Sequence, residues 1–413
     1  MRVFWVVNIL FPYPSIQIGR KNSCFGGWLI GLFNEIVKND DIELGVACTY
    51  DGNNLVIFEE KNVKYYLIPN NKQEKMWYSA ICDFNPDLIH LHGSEFEYGY
   101  IIQKLFPNIK TLVSIQGLVS RISDYYIANI KNSDVIDNIT LKSIINGNIY
   151  REQKKYINKG KTEIEILKKC TAVIGRTTWD YACVFGIVGK DKYYFCNESL
   201  RDLFYNSKWD IDKIEKHSIF VSQAGYPIKG FHIILEAANI LKTQYGFLDL
   251  KIYVAGSNII DTSSFMKKIK ISSYAKYIKK LISKYDLQDN IIFTGMLNEK
   301  EVINKLLLSN VFVQASSIEN SSNALGEAMI IGMPCVASNV GGTSDLLKDK
   351  EEGFLYPFGD YSLLAYYISK IFNDSKNAAF LGKNARKHAL ITHNKEKNAD
   401  CMFNIYKKIF NEK

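Results

Sequence analysis

Two glutamates with seven residues between them, Glu319 and Glu327, stand inside QASSIENSSNALGEAMIIGMPCVASNVGGTSDLL, residues 314–346. Val311 to Val313 form an apolar strand that runs into a polar turn, Ser316 to Asn323. A helix follows, with Ala324, Leu325, Ala328, Met329 and Gly332 on one face. Gly332 and Pro334 end it before a second apolar strand, Cys335 to Ala337. A strand, a polar loop and a helix N-terminus make an anion site, because unpaired N–H groups and the helix dipole converge there. Glu327 falls among apolar neighbours, where a bare carboxylate costs about several kcal/mol and so needs partners. The two hydroxyls of a sugar diol would serve. So would an ion pair with a neighbouring lysine.

Other residues of suitable chemistry follow strands. Lys229 and Gly230 precede a helix after the strand Ile219–Ser222, and Gln223 opens the turn between. Gly26 and Gly27 precede a helix from Trp28, with Arg20 and Lys21 nearby; paired glycines let a ligand approach, though they also occur in plain turns. His92 and Gln116 fall at the ends of the strands Leu88–His92 and Thr111–Ile115. Arg176 directly follows the strand Ala172–Gly175, and could pair with Asp180 at i+4 or reach a ligand. Asn197, Glu198 and Arg201 lie in CNESLR, after the last strand of the first half.

The elements that position these groups alternate. Strands at Val3–Ile9, Leu44–Thr49, Tyr65–Ile68, Leu88–His92, Thr111–Ile115 and Ala172–Gly175 are separated by helices. A second series runs through Ile219–Ser222, Lys251–Ala255, Ile291–Thr294, Val311–Gln314 and Cys335–Ala337. Such alternation predicts doubly wound parallel sheets, whose ligands bind beyond the C-terminal strand ends. At 413 residues, with 47% hydrophobic residues, the chain has material for two domains.

The stretch around Glu319 and Glu327 resembles the glutamate pair of retaining glycosyltransferases of family 4, which adopt the GT-B fold. The resemblance covers essentially the whole chain and implies two Rossmann-like domains facing a cleft. It implies a first, acceptor-side domain over 1–205, a linker at 206–216 and a nucleotide-sugar domain over 217–394. The last helix, about 395–413, is expected to pack back on the first domain. Carried over residue by residue, Glu319 contacts the transferred sugar and Glu327 the ribose, while Asn320, Ser321, Ser322, Asn323, Ala324 and Leu325 hold sugar and phosphate. Lys229 with Gly230 matches the diphosphate-binding lysine, Gly26 and Gly27 the glycine-rich donor loop, and Gly295 with Leu297 the base-gripping turn. His92, Gln116, Asn197, Glu198 and Arg201 fall on the acceptor or sugar side. Two departures stand out: Gln116 replaces a common histidine, and Gln223 replaces an arginine that helps hold the diphosphate. Arg176, with Arg201 as second choice, is the expected substitute for that missing charge. A narrower resemblance, to bacterial capsule and surface-polysaccharide enzymes, rests on FGGWL (25–29), VSIQGLVSRI (113–122), IGRTTWD (174–180), CNESLR (196–201) and SSIENSSNALGEAM (316–329).

Composition limits the alternatives. The net charge is +8, too mild and too unclustered for nucleic acid, but compatible with an anionic substrate or membrane face. Eight cysteines without a CxxC pair read as reduced thiols in the cytoplasm, and the six histidines show no metal spacing. The N-terminal apolar run is a buried strand: it carries Asn8, ends in Pro12 and Pro14 and lacks a cleavage site. No run reaches the length of a membrane span. The Lys-rich stretch 151–169 reads as a solvated surface helix or a basic patch on an anionic membrane.

The expectation is a retaining, metal-independent glycosyltransferase without cofactor, using UDP-sugar in preference to GDP-sugar. The expected acceptor is a glycan or lipid-linked glycan of surface-polysaccharide assembly, met in the cytoplasm or at the inner face of the membrane. The alternatives are a GT-B epimerase or phosphorylase, and a silent nucleotide-sugar-binding subunit.

Overall fold

The computed structural model describes residues 1–20, 26–71 and 73–412; Lys21, Cys24 and Phe25 of the sequence reading lie outside these. The chain forms two compact units. Unit 1 comprises Met1–Arg121, Ile157–Leu200 and Thr392–Lys413, and unit 2 comprises Ile122–Tyr156 and Arg201–Ile391.

Unit 1 is built on eight strands: β1 (Arg2–Val7), β2 (Glu43–Tyr50), β3 (Val56–Glu60), β4 (Val63–Pro69), β5 (Leu88–His92), β6 (Lys110–Ser114), β7 (Ala172–Gly175) and β8 (Tyr193–Phe195). Their order is β3-β4-β2-β1-β5-β6-β7-β8, parallel except for the antiparallel edge pair β3–β4. β1 lies near the middle, so Val3 to Val7 are wholly buried. That burial accounts for its near-continuous apolar run, because a parallel strand is covered on both faces. The helix Lys395–Asn411 belongs to this unit. Its Tyr406 is fully buried; the hydroxyl accepts from Trp5 Nε1 at 2.9 Å and meets His90 Nδ1 at 2.6 Å. Lys110 Nζ donates to the terminal carbonyls of Ile409 and Phe410, 2.8 and 3.2 Å away, a cation placed at the negative end of the helix dipole. Phe410, expected on the packed face with Tyr406 and Ile409, is instead exposed.

Unit 2 has six parallel strands: β9 (Ser218–Val221), β10 (Lys251–Val254), β11 (Ile291–Phe293), β12 (Val311–Gln314), β13 (Cys335–Ser338) and β14 (Phe354–Tyr356). Their order, β11-β10-β9-β12-β13-β14, is the nucleotide-binding arrangement in which strand order reverses between β9 and β12. Crevices for ligands open at such a reversal, beyond the strands' C-terminal ends. Lys229 follows β9, and Glu319 follows β12.

Two segments differ from the sequence division. Residues 122–156, read with the first domain, belong to unit 2. Ser317 Oγ donates to the Tyr125 carbonyl at 2.9 Å, and His232 Nε2 meets the Ala128 carbonyl at 2.8 Å, which ties that segment in place. Residues 206–216, read as a linker, are packed on unit 2: buried Trp209 donates Nε1–H to Ser309 O and its backbone N–H to Ile331 O.

The Lys-rich stretch lies in the helix Ile149–Lys169. It is not wholly a solvated surface helix. Glu163 is buried in its middle, accepting from Ser94 Oγ (2.6 Å), Ser120 N (2.8 Å) and Val119 N (3.2 Å). Burial raises its carboxyl above the ordinary range, against the pull of those hydrogen bonds.

Candidate functional site

The site in unit 2 grows from the loop between β12 and the helix Asn323–Ile331. Ser322 caps that helix, accepting from Leu325 N–H at 3.3 Å, and Gly332 ends it with φ +83°. The first-turn amides of Asn323 and Ala324 have no carbonyl one turn back within the helix, so they point into the loop. Asn320 is buried, whereas Ser321, Ser322, Asn323 and Ala324 are partly exposed. Asn323 Oδ1 is sealed from solvent without a hydrogen-bond partner, an acceptor left for something else.

Glu319 and Glu327 are each held by one cation. Lys229 Nζ donates to Glu319 Oε1 at 2.5 Å, and Ser316 Oγ donates to the same oxygen at 2.6 Å. Burial works to lower the Lys229 ammonium, but Glu319 beside it outweighs burial and the net shift is upward. The lysine therefore stays charged. Arg201 forks onto Glu327, with Nε–Oε1 at 2.6 Å and Nη2–Oε2 at 2.7 Å. Burial raises the Glu327 carboxyl, with Arg201 opposing it. The arginine meets the need for partners that its apolar setting creates, where the sequence offered a neighbouring lysine as one alternative.

Backbone approach fixes the geometry. Gly230, at φ +65°, caps the helix Phe231–Thr243. A Cβ there would lie 1.7 Å from the Ala315 carbonyl oxygen, so only glycine lets the Lys229 turn close on the Glu319 loop. Gly341, at φ +52°, is the counterpart on the other side: its Cβ would meet the Glu319 carbonyl at 1.9 Å. Gln223 is exposed and accepts from Tyr226 Oη at 3.1 Å; it brings no charge. Gly295 pairs with Gly256 in a short bridge at the end of β11, with half-buried Leu297 just beyond.

Unit 1 carries a different cluster. Gln116 Nε2 donates to Glu198 Oε1 at 3.0 Å, and Arg176 pairs with Glu198 Oε2 and donates to the Ile115 carbonyl. The Arg176 side chain is only 4% exposed. Neither sequence alternative describes it. Asp180 receives not the guanidinium but the Arg176 backbone N–H at 3.0 Å, within the cap of the helix Thr178–Val188. Half-buried Asn197 adjoins this cluster in sequence. Arg201, placed by sequence on the acceptor side, belongs to unit 2 and holds Glu327.

His92 is buried at the end of β5, its ring 4.5 Å from Trp5 and 3.8 Å from His90. Neither ring nitrogen has a partner, and burial depresses its pKa to about 3, so it is neutral at ordinary pH. Gly26 and Gly27 open the helix Gly27–Ile36, with Gly26 at φ +80°. Among the described residues no cluster of His, Cys, Asp or Glu could hold a metal ion. No helix of the described residues is long and apolar enough to cross a membrane.

Sequence reasoning missed Ser316 as a support of Glu319, although Ser-x-x-Glu was a visible spacing. It also missed Arg201 as the partner of Glu327, for which a sequence separation of 126 left no local signal.

Residues 204–388 match the model of glycosyl transferases group 1, a span that lies within unit 2. The chain is 23% identical over 395 residues to the putative glycosyltransferase YtcC of Bacillus subtilis, covering 94% of this chain and 87% of that one. It is 27% identical over 169 residues to the UDP-Gal:alpha-D-GlcNAc-diphosphoundecaprenol alpha-1,3-galactosyltransferase of Escherichia coli, covering 40% of this chain and 42% of that enzyme. Among solved structures, Anabaena Alr3699/HepE in complex with UDP superposes with a TM-score of 0.68 at 13% identity, over 99% of this chain and 100% of that one. The group 1 match coincides with the unit that carries Glu319, Glu327 and Lys229, on two parallel-sheet units of GT-B type, and this chain is a glycosyltransferase.

Proposed function

We propose that the protein transfers a sugar from a nucleotide sugar, UDP-linked in preference to GDP-linked, to a glycan or lipid-linked glycan of surface-polysaccharide assembly. The transfer retains the anomeric configuration. The observation that carries this reading is the pair of carboxylates on one loop and helix, each held by a cation. Glu319 takes hydroxyls of the transferred sugar, and Glu327 takes the ribose diol. Lys229 and the N-terminus of the Asn323–Ile331 helix stabilise the departing diphosphate, a role that needs no metal. The loss of the usual arginine at Gln223 leaves one charge to be supplied. Arg201 is the better source, because it already stands against Glu327 in the same unit, whereas Arg176 is spent on Glu198.

No nucleophile is placed by this reading, so the protein's task is positioning and charge stabilisation. The UDP assignment draws support from the E. coli relative's donor and from the UDP complex of HepE. The lipid-linked acceptor draws support from that same relative, which is named for an alpha-D-GlcNAc-diphosphoundecaprenol substrate. The test is release of UDP from a panel of UDP-sugars with and without a diphosphopolyprenol-linked glycan, in the presence of EDTA. Acceptor-dependent release, with an α-linked product by NMR from an α-linked donor, supports the proposal. Acceptor-independent consumption of donor would mark an epimerase, and dependence on added divalent metal would overturn the metal-free reading.

A further inference from the structure

Unit 2 carries an apolar surface that the sugar-transfer site does not use. Its two parts are the helix Leu141–Asn146 with the residues before it, and the helix Phe265–Lys270, and the two helices touch. Ile136, Leu141, Ile144, Ile145, Phe265 and Met266 project from them, each 56–75% exposed. Scattered single apolar residues on a surface need no explanation, but five on two adjoining short helices, with Ile136 on the helix Asn132–Asp137 before them, form a larger feature. The helix Leu141–Asn146 buries none of its residues, and neither does Phe265–Lys270. Their apolar side chains are therefore not there to fill the core.

Charge is concentrated on the same segments. Residues 131–151 and 261–280 hold nine basic and three acidic side chains, so six of the chain's eight net positive charges sit in these two stretches. Lys142, Lys268 and Lys270 are exposed and stand between the apolar residues in sequence. Five other cations are already engaged: Lys267 with Asp261 at 2.5 Å, Lys280 with Asp137 at 3.3 Å, Lys276 with the Ile139 carbonyl at 3.1 Å, Lys279 with Thr262 Oγ1 at 2.6 Å and Arg151 with the Ile145 carbonyl at 3.2 Å. The Lys276 and Lys280 contacts brace the two stretches against each other, and Lys142, Lys268 and Lys270 remain exposed.

We propose that this face docks on an anionic phospholipid surface, with Ile144, Ile145, Phe265 and Met266 entering the headgroup–acyl boundary and Lys142, Lys268 and Lys270 meeting lipid phosphates. An amphipathic surface helix of this kind sinks its apolar side roughly 5–10 Å into the interface while its lysines stay at headgroup level. Each lysine near such a surface contributes about 1 kcal/mol, screened by salt. Charge selects this occupant. A second copy of the chain would set the same positive excess against itself, whereas an acidic bilayer complements it. This location replaces the 151–169 stretch, whose helix spends its middle on burying Glu163. The inference stands on its own observations, apart from the identity of donor or acceptor.

Co-sedimentation with vesicles tests it, using phosphatidylcholine alone and phosphatidylcholine with phosphatidylglycerol, at low and high salt. The wild-type chain should bind the anionic vesicles and be released by salt. Ile144→Asp combined with Ile145→Asp should lower vesicle affinity by about tenfold or more, since two apolar anchors are lost. Lys268→Glu combined with Lys270→Glu should lose roughly fivefold or more per charge on anionic vesicles. Lys161→Glu with Lys168→Glu, in the Ile149–Lys169 helix, should bind as wild type. All these positions are exposed, and unchanged thermal unfolding confirms that each variant is folded. Equal recovery on neutral and anionic vesicles overturns the proposal, as does retained binding by the Ile144/Ile145 variant. Dissociation of a dimer by that variant in analytical ultracentrifugation, with vesicle binding intact, would instead assign the face to a second copy.

Discussion

Among the described residues each unit buries one arginine–glutamate pair, the Arg2–Glu43 pair of unit 1 being exposed, and the two buried pairs use the same chemistry for different ends. In unit 1, Arg176 meets Glu198, and the remaining valences are filled from within the fold: Gln116 occupies the other carboxylate oxygen and the Ile115 carbonyl takes a second guanidinium N–H. In unit 2, Arg201 puts two donors, Nε and Nη2, onto Glu327, in the middle of a helix whose N-terminal loop also presents Glu319. Glu319 is in turn matched to Lys229, so unit 2 sets two carboxylates and two cations around one loop. The first cluster is closed by carbonyl and amide partners. The second is a set of matched charges that a sugar, a ribose and a diphosphate can each re-partner. An ion pair alone does not reveal function; what fills the rest of its hydrogen-bonding capacity does.

The comparison is broken most directly by Arg176→Ala. Removing it leaves Glu198 buried with half its partners, which costs about 3–5 kcal/mol of stability. Urea unfolding should show the loss, while turnover per folded molecule stays near the wild-type value. Preserved stability with a hundredfold drop in turnover would move Arg176 into the transfer chemistry and erase the distinction between the pairs.

Lys229→Ala is the matching test in unit 2. If the ammonium stabilises the departing diphosphate, turnover should fall by about 10²–10³-fold, in the range for losing one preorganised charge-stabilising donor. The readout is single-turnover UDP release at saturating donor. A change in KM alone, with turnover retained, would limit Lys229 to ground-state binding.

Much of this was legible in advance because periodicity and strand ends are local. The alternation of apolar strands with amphipathic helices located eleven of the fourteen strands, and the glutamate pair lay in one continuous stretch. The three missed strands, β3, β8 and β14, are short and lie at sheet edges, where a strand needs little apolar sequence. What failed was anything that depends on distant partners. Arg201 reads as a neighbour of Asn197 and Glu198, yet the fold gives it to Glu327. Arg176 and Asp180 have the spacing of a helical ion pair, but Asp180 serves as a cap at the helix start and Glu198 claims the guanidinium. Residues 122–156 carry no compositional break to show that they pack with the second unit.

A smaller effect separates the roles of Arg201 and Glu327. Glu327→Gln keeps the shape and can still meet a ribose hydroxyl, but loses the charge that holds Arg201. Donor affinity should weaken by about 1–3 kcal/mol, measured by calorimetry with UDP and with UDP-sugar. Arg201→Lys should weaken UDP-sugar binding less than Glu327→Gln does, since a lysine keeps the charge but not the fork. Donor affinity unchanged in both variants would return this pair to the structural class of Arg176 and Glu198.

The smallest expected effect lies in unit 1, at a carboxylate whose ionised form burial opposes and nearby Lys159 favours. Glu95 follows β5; its Oε2 is sealed from solvent without a hydrogen-bond partner, although the residue as a whole is half-buried. Burial, with a further push from nearby Glu163, raises its pKa from 4.5 to about 7. The sign follows from proton counting. Between pH 4.5 and about 7 the unfolded chain gives up this proton while the folded chain keeps it. Stability from this group is therefore fully present below the lower value and is lost as pH rises through the upper one. Glu95→Gln fixes the neutral form, so its melting temperature should decline less than that of wild type between pH 5 and pH 7.5, by roughly a few degrees at most in a chain of this size. Parallel pH curves for the two proteins would show that the Glu95 carboxyl is ionised in the folded state, and that unit 1 buries a carboxylate charge without the direct ion pair that Glu319 and Glu327 have in unit 2.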